Sequence, residues 1–122
     1  MVYLIDSNVI IHFLLGDNAE QLSMSTDIFK KIENGEYEVQ LLEVVLMETF
    51  LTLTKLYKLP KSTVISDLKK IISLRGVMGD KALLIDTLNI MESQEINFVD
   101  ALIWSQSRLH GYGKVSFDKE IL

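Results

Sequence analysis

Apolar residues follow two rhythms along this chain, and their alternation predicts strands separated by helices. Residues 2–6, Val-Tyr-Leu-Ile-Asp, make a continuous apolar run ended by an acid and read as a short buried strand. A short helix follows over 8–15. A second helix covers 19–33, where Asn34-Gly35 supplies a stop signal. Residues 37–41 read as a strand and 43–57 as a long helix. Pro60, the single proline, breaks the chain after it. Ser62 is placed to cap a helix running to about 73. Val77-Met78, between Gly76 and Gly79, has room for only a very short strand. Asp80 then caps a helix running to about 94. A further helix spans 97–110, stopped by Gly111, and 114–117 is a last strand. Strands alternating with helices imply an α/β fold with a parallel sheet covered on both faces. In such sheets ligands bind beyond the carboxyl ends of the strands.

Composition narrows the chemistry. The 122 residues suit a single domain over 1–122 and are 48% hydrophobic, which excludes a disordered chain. There is no cysteine, so a metal would be held by oxygen or by the two histidines. The apolar start is cut short by Asp6, before the core of a secretory signal develops. The longest apolar stretch, 9–15, is interrupted by His12 and is too short to span a bilayer. The expectation is a cytoplasmic protein. The net charge of −5 argues against nucleic acid, which favours basic surfaces. That objection weakens if carboxylates gather around divalent ions, because two such ions would offset four of those charges.

Four acids stand where this matters. Asp6 lies where the first strand gives way to a helix, a position that suits either a helix cap or a ligand. Glu48 has Val44 and Val45 behind it and Leu51 and Thr52 ahead at helical spacing, which predicts a core-facing side chain. A carboxylate there would need a buried Lys or Arg, or a metal, and no basic residue is an obvious candidate. Asp100 shares a helix face with Ile103 and Trp104, which predicts an inward position. It also stands three residues after Asn97, as in a capping box. Asp118 follows the last strand, where a turn residue is equally at home. Carboxylates placed together stay ionised when cations hold them, and oxygen donors favour Mg²⁺ or Mn²⁺.

With these residues in view, the sequence resembles the PIN-domain ribonucleases, and within them the VapC-like toxins. The likeness rests on Leu4-Ile5-Asp6-Ser7-Asn8-Val9-Ile10, Val44-Val45-Leu46-Met47-Glu48, Phe98-Val99-Asp100-Ala101-Leu102-Ile103 and Ser116-Phe117-Asp118, in that order through nearly the whole chain. It implies a three-layer α/β/α fold whose central parallel sheet has four or five short strands. A further edge strand would follow the last motif, and the sequence ends at Leu122. It implies Asp6, Glu48, Asp100 and Asp118 as metal ligands, with Asn8 as a polar neighbour and Ser116 as a hydroxyl near the metals. Lys119 and His12 are candidates for touching RNA. Trp104, Met47, Met78 and Met91 are expected in the core, and Arg108 and His110 at a helix C-terminus, where cations are favoured.

The activity so implied is Mg²⁺- or Mn²⁺-dependent hydrolysis of RNA, by a toxin that forms a homodimer and is silenced by an antitoxin. Residues 9–15 and 22–32 carry more apolar side chains than one sheet face would cover. They predict an exposed apolar groove that an amphipathic antitoxin segment could fill, leaving a basic side chain to reach the acids. Two rivals stand beside this reading. One is a PIN-like fold that binds without cutting. The other is a Mg²⁺-dependent phosphoacceptor signalling domain, but that usually wants an acidic pair before its acceptor strand and a lysine after a late one. Here Asp6 has no acidic neighbour and Lys114 opens its strand.

Overall fold

Three short strands pair in parallel in the computed structural model, which describes residues 1–117. They are β1 (Val2–Leu4), β2 (Glu38–Gln40) and β3 (Val77–Met78), in the order β1-β2-β3. Val2, Tyr3 and Leu4 stand opposite Glu38, Val39 and Gln40, while Val39 and Gln40 stand opposite Val77 and Met78. Parallel neighbours require long crossovers. The first is made by α1 (Ser7–Leu15) and α2 (Ala19–Glu33). The second is made by α3 (Glu43–Leu51), a π-helical turn (Thr52–Leu56) and α4 (Lys61–Ile72). The α/β class and the parallel sheet agree with the hydrophobic pattern.

The chain divides into two compact units, Met1–Gly79 and Asp80–Leu122. In the first, α1 packs on α2 and α3, and α3 on α4. The amphipathic stripe of α4, Val64, Ile65, Leu68, Ile71 and Ile72, is buried along one face. Each such side chain contributes about 2 kcal/mol by leaving water. Pro60, with its fixed φ and missing N–H, occupies the cap position of α4, two residues before Ser62, the expected cap. The second unit contains α5 (Lys81–Gln94) and α6 (Phe98–His110), which pack as a helical hairpin. Asp80 accepts from the Leu83 amide at 3.1 Å, Asn97 from the Asp100 amide at 2.9 Å, and Gly111 closes α6 in the left-handed region.

Four expectations need correction. Residues 2–6 do not form a buried strand. Val2, Tyr3 and Leu4 alternate between the two faces of the sheet and are exposed on both, and burial begins only at Ile5. Residues 43–57 are not one α-helix. After Leu51 the chain widens into the π-helical turn, with Leu53 fully buried inside it. The Thr49 and Thr54 hydroxyls each donate to the carbonyl four residues back, at 2.8 Å, a contact that favours bending. Residues 114–117 form no strand among the described residues. Val115 and Phe117 are fully exposed there, so three strands are described where four or five were expected. Of the residues expected in the core, Met91 is buried, Met47 and Trp104 are half-buried and Met78 is exposed. Arg108 and His110 do lie in the last turn of α6.

Candidate active site

Asp6 is the best-defined element of the site. It lies two residues beyond β1, at the carboxyl edge of the sheet, in the N-cap position of α1 with extended backbone angles. Its carboxylate nonetheless caps nothing. Asn18, Asp80 and Asn97, in the same position on α2, α5 and α6, each accept a backbone N–H at 3.0, 3.1 and 2.9 Å. Among the described residues, the Asp6 carboxylate accepts only from the buried Ser7 hydroxyl, at 3.3 Å, and the residue is exposed. A helix N-terminus attracts anions, and here the acid that faces it leaves most of its oxygen lone pairs unused. Asn8, also exposed, follows on the first turn.

This difference predicts a stability contrast. Asn97→Ala should lower unfolding stability in urea by about 1 kcal/mol, the usual worth of an N-cap. Asp6→Asn, which keeps an acceptor for Ser7, should change it by less than about 0.5 kcal/mol in metal-free buffer. A larger loss for Asp6→Asn would mean that its role is structural.

Glu48 does not face the core as its sequence neighbours suggest. The buried face of α3 is Leu46, Thr49 and Phe50, and Glu48 lies nearly opposite. Its helical neighbours Val44 and Leu51 are apolar but are themselves 58% and 37% exposed. The carboxylate therefore needs no buried cation, and no described residue pairs with it. Asp100 is half-buried on the flank of α6, away from the buried Phe98, Ala101 and Ser105. Its amide serves the Asn97 cap while its carboxylate has no described partner. Ser116 is half-buried in the segment after α6. Asp118 and Lys119 lie outside the described residues. His12 sits in the last turn of α1, its Nδ1 3.4 Å from Asp17, in a groove shared with Asn8, Gln21 and Met24.

The donor chemistry suits a hard divalent cation: Asp6, Glu48 and Asp100 are carboxylates committed to no cap and no ion pair among the described residues. Asp6 and Glu48 belong to the first unit and Asp100 to the second. Among the described residues, no three His, Asp or Glu side chains form a metal-holding group. Two further concavities bear on ligands: the apolar groove expected beside α1 and α2, and a second that went unread in the sequence. The first holds about 290 Å³, with Phe13, Phe29, Ile71 and Leu74 in its walls and Lys30 and Lys70 at its rim. The other is a polar cleft between α5 and α6, whose only sequence sign is helical spacing of Asp86, Asn89 and Ser93.

A parallel sheet with an unspent acid just past a strand end is an α/β architecture suited to ligands at that edge. The chain belongs to the PIN domain family, whose model matches residues 3–122 and so runs through both units. PIN domains are generally nucleases and typically use divalent metal ions. No curated protein and no solved structure matches the chain. Among the described residues, no helix is long and apolar enough to cross a membrane.

Proposed function

We propose that this chain, as a single PIN domain, is a Mg²⁺- or Mn²⁺-dependent endoribonuclease and the toxin of a type II toxin–antitoxin pair. The observation that carries the nuclease reading is the Asp6 carboxylate, which occupies a cap position and leaves the cap unmade. Asp6, Glu48, Asp100 and Asp118 would hold the metal. When bound, divalent ions supply an activated water and positive charge for the developing phosphate oxygens. Asn8, on the first turn of α1, would stand as the polar neighbour of the acidic cluster. Ser116 would stand as a hydroxyl near the metals, and Lys119 and His12 would contact the RNA. The toxin assignment rests on the family resemblance and on the groove beside α1 and α2. That groove suits an amphipathic antitoxin segment, and the active form would be a homodimer.

The direct test is incubation of the purified protein with a random-sequence RNA pool. Cleavage should appear with Mn²⁺ or Mg²⁺ and stop with EDTA. A PIN fold that binds without cutting is the second reading, favoured by the lack of a three-residue metal group among the described residues. RNA retention without cleavage under any divalent ion would establish it.

Metal binding has its own readout. An ion that binds only the folded state stabilises it by about 2.7 kcal/mol at a hundred times its dissociation constant. Melting temperature should therefore rise and saturate with Mn²⁺, and Glu48→Gln should flatten the rise. An unchanged titration in Glu48→Gln would remove that residue from the ligand set.

A further inference from the structure

We propose that the cleft between α5 and α6 is a subsite for one unstacked nucleobase of single-stranded RNA. Its place beside the scissile phosphate rests on the nuclease reading above, whereas the binding itself does not. The α6 helix sets Asp100, Trp104 and Arg108 four residues apart, so an acid, an aromatic ring and a cation follow one another along one face. Four residues of helix advance about 6 Å, which puts Trp104 one turn beyond a proposed metal ligand. The cleft holds about 250 Å³, with Trp104 and Arg108 in one wall and Asp86, Asn89, Ser93 and Gln94 in the other.

Charge and hydrogen bonding both favour a base. The Asp86 carboxylate accepts the Ser105 hydroxyl at 2.6 Å and the Arg108 guanidinium, so its charge is offset within the protein. The Asn89 and Gln94 amides, the Ser93 hydroxyl and the Trp104 indole N–H have no described partner. Side-chain amides present a donor and an acceptor side by side, which is what the edge of a base requires. An aromatic ring supplies the stacking face that an unpaired base seeks. The Lys114 ammonium stands 6.0 Å from the centre of the Trp104 ring, a cation placed to meet the adjoining phosphate. An apolar peptide side chain would use the ring and leave both amides unmatched.

Trp104 is the only tryptophan in the chain, so its fluorescence reports on this cleft alone. The experiment is titration of the full chain with a short single-stranded oligoribonucleotide in low salt and EDTA, where metal-dependent cutting is switched off. Saturable quenching is expected. An oligomer of the same length lacking its bases should leave the emission unchanged. Asn89 and Gln94 are exposed, so Asn89→Ala with Gln94→Ala keeps the fold, and it should weaken binding about tenfold through two lost hydrogen bonds. Absence of saturable quenching, equal quenching by the baseless oligomer, or parental affinity in the double variant would each overturn the subsite. Quenching by a protein that fails to cut RNA with Mn²⁺ would keep the subsite and remove the nuclease reading. Cutting without quenching would do the reverse.

Discussion

With Mn²⁺ present, Asp6→Asn is expected to cleave RNA at least about a thousandfold more slowly than the parent. The amide keeps the side-chain shape and the acceptor for Ser7 but removes the charge that attracts a divalent ion. Metal assistance contributes several kcal/mol to the transition state, and each 1.36 kcal/mol is a factor of ten in rate. The loss should appear without unfolding, since Asp6 caps no helix amide. Asp100→Asn should behave alike, because its Asn97 cap uses the backbone N–H rather than the carboxylate. Rates would be followed by gel on one RNA that the parent cuts. Parental rates in both variants would take these two acids out of the metal site and leave the catalytic reading without its main support.

The second large effect concerns stability. A Cβ at Gly76 would collide with the Tyr37 carbonyl oxygen and stand 2.6 Å from that of Ile32. Both obstacles are backbone, so neither can swing aside. The same glycine donates to Ile32 O and accepts from the Val39 amide, each at 2.8 Å, and so fixes how β3 enters beside β2. Gly76→Ala should therefore cost about 3–5 kcal/mol, among the severe single substitutions. A domain is stable by only about 5–15 kcal/mol, so the variant should be largely unfolded at moderate urea. Gly113→Ala, where a Cβ meets nothing within 4 Å, is the matched control. A Gly76→Ala chain as stable as the parent would show that β3 does not need this close approach.

Helix boundaries were legible because their signals are local. Asn97 and Gly111 bracket α6, Asp80 opens α5, and Asn34 follows the last residue of α2. Exposure was not legible, because it depends on residues distant in sequence. Val44 and Leu51 look like core residues at helical spacing, yet the core lies on the opposite side of α3, at Leu46, Thr49 and Phe50. Glu48 reads as inward-facing from its sequence neighbours alone, yet it is exposed. Residues 114–117 show why strands are harder than helices: a helix bonds to itself, whereas an alternating segment becomes a strand only if an edge receives it. For the site, sequence revealed Asp6 as a strand-end acid. It could not reveal that Asn18, Asp80 and Asn97 cap their helices while Asp6 does not.

The register of the sheet also governs how quickly the protein can be made. Residue 2 must find residue 38, and residue 39 must find residue 77. Each encounter requires a long loop to close before any ladder bond forms to reward it. By contrast, α5 and α6 meet across a three-residue connection, and such local contacts form orders of magnitude sooner. On the ribosome, β1 is translated early and must wait for β2 to emerge. Through that delay Val2, Tyr3 and Leu4 are a strand without a mate, the kind of unpaired edge that favours aggregation during synthesis.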